Sequence, residues 1–302
     1  MPDAAGLSAL FRRNFPFAVR EEATVLRILG DPGNRVFERR DEAGRLIGAA
    51  VARGGAIILL CVDAAHRRRG LGGALLAEAE AFIRAAGYGC VVVGAGDDYL
   101  IPGVPTSKRY FPAENEALDP RLTEEGSRFF EKRGYRHGWE DANCFDMPLS
   151  LAGWDAPAFR NGMALDGVVY RWAGPGDRAA VCACVEDAWP EFARYYEDEA
   201  LYGADPARRV MTAGAAFGAL MVNLGTEGRG VGSVGCTAVR HAWRGRRIAV
   251  NMVRLSTAFL KEAGMENAFL GYTYTRLDHM FGYAFYKICA YYMMALKEFS
   301  GR

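Results

Sequence analysis

The sequence predicts an α/β protein built from two tandem copies of one strand–loop–helix–strand plan. Three observations predict it. Apolar strand-like runs alternate with amphipathic helical stretches, the 302 residues suffice for two separate cores, and one segment recurs 177 residues further on.

In the first half, RVFERR (35–40), RLIGAAVA (45–52) and AIILLCVD (56–63) read as strands. Asp41-Glu42-Ala43-Gly44 and Gly54-Gly55 supply the turns between them. Across 71–86 the apolar residues Leu71, Leu75, Ala79, Phe82, Ile83 and Ala86 keep helical spacing, and Gly87 stops the helix. CVVVG (90–94) is a short apolar strand. An irregular stretch with four prolines follows, and then a helix at about 123–133 and strands at about 135–139 and 142–149. Residues 151–165 lack periodicity and read as a linker between domains 1–150 and 166–302. The second half holds the strand VVYRW (168–172), a helix over 176–188, and strands at about 217–224 and 231–239. Alternation around Cys289–Met294 reads as two core strands of the second copy rather than a membrane-facing tail.

The recurrence is gapless. Val62 falls on Val239, Arg67 on Arg244, Arg69 on Arg246, Phe82 on Phe259, Gly87 on Gly264 and Gly94 on Gly271. Nine of the 33 positions from Val62 to Gly94 are identical, and several are arginines and glycines that core packing does not demand.

Composition excludes several function classes. Hydrophobic residues make up 51%, charged 24% and aromatic 12%, with net charge +1, so no global field recruits nucleic acid or an anionic membrane. We expect no signal peptide and no membrane span. The seven cysteines sit mostly in apolar runs and fit free thiols in a reducing cytoplasm. Cys182-Ala183-Cys184 has no second ligand pair at metal spacing, so no metal is expected.

The chemistry concentrates in His66-Arg67-Arg68-Arg69-Gly70-Leu71-Gly72-Gly73, between a strand end and a helix start. A helix start leaves amide N–H groups unpartnered and carries partial positive charge. Glycines remove the side chains that would hold an anion away, and the arginines add charge. Together they describe a diphosphate cradle made mainly of backbone donors. It lacks the Lys-Ser/Thr of a P-loop and the three-glycine dinucleotide fingerprint with its downstream acid.

Arg-x-x-Gly-x-Gly at 67–72, with Val62 five residues before the arginine, resembles the acetyl-CoA signature of the GNAT superfamily. Phe129-Phe130-Glu131-Lys132-Arg133-Gly134-Tyr135 resembles the family's second motif. Two copies, with Pro102-Gly103-Val104-Pro105 in the first, are similar to bacterial tandem members of mycothiol-synthase-like architecture. The resemblance implies two mixed, mostly antiparallel sheets flanked by helices, each with a splayed central strand pair. It implies acetyl-CoA as cosubstrate, held by Cys61, Val62, Arg67, Arg68, Arg69, Gly70, Leu71, Gly72 and Gly73, with Phe130 and Arg133 on the flanking helix. The implied reaction is direct attack of an amine on the thioester.

This chain departs from the family pattern in places. A tyrosine four residues before the second-motif glycine protonates the leaving thiolate in many members, and here that position is Phe130. Tyr135, Tyr99 and Tyr110 are substitutes by sequence proximity. No carboxylate lies on 56–62, so Asp97 and Asp98, just past the second strand, are the candidate bases through water; the alternative for them is a turn opener or helix cap. His137 reads as a surface or strand residue. In the second copy Arg247 replaces the first glycine, so the first copy is expected to bind CoA. The second is expected to shape the acceptor site or to bind CoA weakly. Tyr272, Tyr274, Asp278 and His279 form a polar cluster there, either an acid–base site or an ordinary helix start. The expected acceptor is a small-molecule amine. The alternatives are a protein N-terminus or lysine, or a non-catalytic CoA-binding regulator. No nucleic acid or membrane partner is expected; further copies of the chain are admitted as partners.

Overall fold

Asp3 opens the first helix of this computed structural model, which describes residues 3–94, 99–109, 113–138, 144–155, 158–225, 227–273 and 277–299. Its carboxylate accepts the Gly6 N–H at 2.9 Å and caps α1 (Ala4–Asn14). α1 buries Leu7, Leu10 and Phe11, and α2 (Glu22–Leu29) buries Val25, Ile28 and Leu29, each at helical spacing. An antiparallel meander follows: β1 (Arg35–Arg40), β2 (Leu46–Arg53) and β3 (Ala56–Val62). Seven of the eight β2 residues are buried, so this strand is covered on both faces. α3 (Leu71–Ala85) lays Leu75, Leu76, Ala79 and Ile83 on the sheet, and Gly87 ends the turn beyond it at φ 90°. β4 (Cys90–Val93), β5 (Val104–Thr106), α4 (Glu125–Glu131) and β6 (Arg136–His137) complete this stretch.

β7 (Cys144–Ser150) leads into a second unit, which comprises Ala113–Ala117 and Asp146–Cys289. Its elements are β8 (Met163–Leu165), β9 (Val168–Trp172), α5 (Arg178–Ala188), β10 (Arg208–Ala213), β11 (Gly218–Leu224), β12 (Val231–Val239), α6 (Ile248–Glu262), β13 (Asn267–Thr273) and α7 (Asp278–Gly282). The strands run in the order β7-β13-β12-β11-β10-β9-β8. The successive pairs from β8 through β12 are antiparallel, and β12 pairs with β13 in parallel. Val181, Cys184, Val185, Tyr196 and Val210 are fully buried in the core of this unit.

β14 (Ala290–Met293) and β15 (Ala295–Glu298) then return to the first unit, which comprises Met1–Pro112, Leu118–Phe145 and Ala290–Arg302. The order of its six-stranded sheet is β1-β2-β3-β4-β15-β6. Leu296 pairs with Val92 on one side and Arg136 on the other, both antiparallel. β14 pairs with β5, with Tyr291 opposite Thr106. Lys297 Nζ reaches Glu80 at 3.0 Å, and the Tyr135 hydroxyl donates to the same carboxylate at 2.9 Å. This corrects the reading of Cys289–Met294 as strands of the second copy: the pieces are not the contiguous stretches 1–150 and 166–302. Period-2 alternation marks a strand but does not say which sheet takes it.

The 177-residue recurrence is visible in the backbone. α3 and α6 begin and end at that offset, as do the parallel pairs Ala56–Val92 and Ser233–Phe269. Left-handed residues match as well: Arg68 (φ 62°) with Gly245 (77°), Gly70 (82°) with Arg247 (59°), and Gly87 (90°) with Gly264 (81°). Arg67 Nε donates to Val62 O at 2.9 Å, and Arg244 Nε donates to Val239 O at 3.3 Å. Among the described residues no helix is long and apolar enough to cross a membrane, and no cluster of His, Cys, Asp and Glu could hold a metal ion.

Candidate active site

The site begins where two parallel strands part. β3 and β4 pair at Ala56–Val92 and Ile57–Val93, and the last ladder bond runs from the Gly94 N–H to Ile57 O. From Ile58 to Val62 one edge of β3 faces open space. A bulge decides which groups it shows there. Leu59 pairs with Val51 but Ile57 pairs with Ala52, so Ile58 is an extra residue and the alternation reverses beyond it. The Asp63 N–H donates to Ile47 O, which turns the main-chain groups of Cys61 and Asp63 toward β2. Leu60 and Val62 therefore present theirs to the opening. The sequence reading assigned that role to Cys61 and Val62; the alternation replaces Cys61 with Leu60, which sequence reasoning missed because bulges carry no residue signature.

The loop lies at the end of this edge. A 3-10 turn, Ala64–His66, leads into Arg67, and Gly70 caps α3 at φ 82°. The first intrahelical bond runs from the Ala74 N–H to Gly70 O, so the N–H groups of Leu71, Gly72 and Gly73 have no acceptor within the helix. A Cβ on Gly70 would meet no protein atom within 4 Å. One on Gly72 would lie 3.5 Å from the Phe129 ring, and one on Gly73 would lie 3.3 Å from Arg133 Nη2. The missing side chains leave a space, walled by α4, that suits a diphosphate.

A cleft of about 1020 Å³ connects these features. Of the sequence-predicted residues, Cys61, Val62, Arg67, Arg68, Gly70, Gly72, Gly73, Phe130 and Arg133 line it. Arg69 and Leu71 do not. Arg67 is committed to structure: besides Val62 O, its Nη2 donates to Asn14 Oδ1 at 3.0 Å. Arg133 stacks on Phe129 with its Cζ 3.8 Å from the ring centroid and donates to Phe129 O at 2.9 Å. Phe130 is 5% exposed and packs edge-on against Phe129 and Tyr135. Asn14, which ends α1, and Phe15 and Phe17 beyond it also line the cleft and were not singled out from sequence. Burial pushes the Cys61 thiol up to about 12; Asp63 adds to the shift, and Arg67 and Arg13 oppose it. It stays protonated at neutral pH.

The catalytic candidates are placed as follows. Asp97, Asp98 and Tyr110 lie outside the described residues. Tyr99 carries the Arg20 guanidinium 4.2 Å from its ring centroid and is not among the cleft-lining residues. Tyr135 is corrected as an acid: its hydroxyl is given to Glu80, and burial holds its pKa far above the usual tyrosine range. His137 Nδ1 accepts the Met294 N–H at 3.1 Å and serves the strand, as its sequence position suggests. In the second unit, Asp278 is buried and accepts the Glu114 N–H, while His279 Nδ1 lies 3.3 Å from Glu114 Oε2. Both thus meet Glu114 at the start of α7, Asp278 through the Glu114 backbone N–H and His279 through the Glu114 carboxylate. Tyr274 lies outside the described residues.

A mixed sheet with one splayed parallel pair, a glycine-rich helix start at the splay and flanking helices define the GNAT class of acyltransferase folds. Residues 5–99 match the model of the Acetyltransferase (GNAT) family. A comparison with curated proteins finds no match. Solved structures share the fold across the chain. A GCN5-related glucosamine N-acetyltransferase region of a fungal multi-domain GH3 beta-N-acetylglucosaminidase is 18% identical, with a TM-score of 0.73 over 98% of this chain. This chain spans 37% of that protein. A GCN5-related N-acetyltransferase from Sphaerobacter thermophilus is 19% identical, with a TM-score of 0.66, covering 98% of this chain and 92% of the other. A tandem GNAT protein from the clavulanic acid biosynthesis pathway is 16% identical, with a TM-score of 0.62, covering 99% and 95%. The GNAT family match thus lies in the first copy, and the chain as a whole shares the fold of these tandem GNAT structures.

Proposed function

We propose that the chain is an N-acetyltransferase that moves an acetyl group from acetyl-CoA to an amine of a small molecule by direct attack. The observation that carries this reading is the parting of β3 from β4 beside a helix start with unpartnered amides. In this reading the N–H groups around Gly70–Gly73 take the diphosphate, Arg68 and Arg133 add charge, and the pantetheine runs along Leu60 and Val62. The amine nitrogen bonds to the thioester carbon, the C–S bond breaks, the thiolate takes a proton and the amine gives one up. An N–H on the open edge of β3 would stabilise the oxyanion. Asp97 and Asp98 are the proposed bases through water, and Tyr99 the proposed acid; Phe130 has no proton to give. The first copy is the proposed CoA domain, because Arg247 stands where the loop needs its first glycine. The seven cysteines, most of them in apolar runs, support a cytoplasmic setting.

The name of the fungal neighbour, a glucosamine N-acetyltransferase, supports amino sugars as the first acceptors to try. The test is thiol release from acetyl-CoA across amino sugars, small amines and peptides with free N-termini. Turnover restricted to peptides would move the acceptor to protein. CoA binding without turnover on any amine would favour a non-catalytic regulator, the reading that Phe130 supports.

A further inference from the structure

We propose that Glu125 is a built-in competitor of the acyl donor's diphosphate: it holds Arg68 until the diphosphate takes that arginine, and so tunes how tightly CoA binds and how fast it leaves. This rests on the CoA site of the preceding reading.

The two loop arginines that line the cleft do different work. Arg67 is tied to Val62 O and to Asn14 Oδ1. Asn14 is itself anchored, its Nδ2 donating to Leu10 O and to Asp63 Oδ1 at 3.0 Å each, and Arg13 holds Asp63 at 3.1 Å. Arg67 is therefore a strut that fixes the loop against the end of α1. Arg68 has a left-handed backbone, a side chain 84% exposed, and Glu125 Oε1 at 2.6 Å from its Nη2. Glu125 is the first residue of α4, and it also stands 3.6 Å from Arg67 Nη1. The neighbouring carboxylate, Glu124, is taken by Arg128 at 2.9 Å. The α4 wall thus supplies one carboxylate to the loop's movable guanidinium.

A guanidinium binds carboxylate and phosphate through the same N–H donors, so the two compete for Arg68. An ion pair this exposed is weak, whereas a diphosphate brings more charge and takes the loop amides as well. The ligand wins, and Glu125 lowers its affinity without blocking it. Because Arg68 has a partner to return to, the product's departure leaves no bare guanidinium in the cleft.

The test is CoA titration and stopped-flow release on the full chain at about 50 mM salt, where surface charges are weakly screened. Glu125→Gln is expected to tighten CoA about two- to fivefold, mainly through slower release, which is the range of an exposed ion pair. The gain should shrink at about 0.5 M salt and vanish in an Arg68→Ala background. Glu125→Asp, with a shorter reach, should give part of the gain if the glutamine variant fails to fold. Unchanged or weaker binding in a folded Glu125 variant overturns the proposal, as does a gain that survives Arg68→Ala. A wild-type chain that binds no CoA overturns the CoA site itself.

Discussion

Gly70→Arg separates strain from ligand binding at the loop, because the second unit already carries an arginine at the equivalent position, Arg247. Gly70 has φ 82°, and an L-residue forced into the left-handed region costs about 1–2 kcal/mol. A Cβ there meets nothing within 4 Å, so no clash adds to this cost. The expected drop in melting temperature is about 2–8 °C. For CoA the cost is larger. The added side chain stands in the open mouth of the cleft and displaces the diphosphate from the helix amides. Losing two hydrogen bonds to a charged group, at about 1.5–3 kcal/mol each, outweighs the roughly 1 kcal/mol that one more exposed cation returns. The net loss is at least about 30-fold in CoA affinity. Gly70→Ala shares the strain but not the bulk, so it should melt alike and bind better than the arginine variant. Calorimetric titration with CoA beside thermal melts reads both effects. Wild-type CoA affinity in a folded Gly70→Arg chain would refute the assignment of the diphosphate to this loop.

Further expectations concern stability and reactivity. Tyr135→Phe removes the hydroxyl bonded to Glu80 and should cost about 1–2 kcal/mol in denaturant melts while leaving CoA affinity unchanged. Asp177 is held down at about 2, first by its hydrogen bond with Arg171 and next by the Gly174 N–H, with burial opposing. Because its folded value is lowered, the stability it contributes is present above pH 4 and is lost as pH falls toward about 2. Asp177→Asn should flatten the pH dependence of unfolding in that window, by at most about 2 kcal/mol. In thiol labelling near pH 8, exposed Cys90 should react readily, and Cys61, with its thiol pushed up to about 12, should react on unfolding. Mass mapping of the label distinguishes the two.

The parts of the site that were legible in the sequence are those with residue-type requirements. Arg67, Gly70 and the α3 periodicity are local signals, and their recurrence at Arg244 and α6 doubled the evidence for them. The bulge at Ile58 was not legible, because an extra residue in an apolar run leaves the pattern apolar. It nevertheless turns the main-chain groups of Leu60, rather than those of Cys61, toward the opening. The commitment of Arg67 to Asn14 was equally hidden, since it joins positions 53 residues apart through one hydrogen bond. The partners of Asp278 and Tyr135 depend on contacts with Glu114 and Glu80 that no periodicity announces.

The return of β15 to a place between β4 and β6 has a consequence for biosynthesis. Asp146–Cys289 must be translated before that strand exists, which at ribosomal speeds takes about 7–30 s. During that interval the β4 edge has no neighbour, and Tyr135 and Glu80 wait for Lys297. A nascent chain in this condition is a natural client for a holdase, and an N-terminal fragment expressed alone would carry the same unfinished edge permanently.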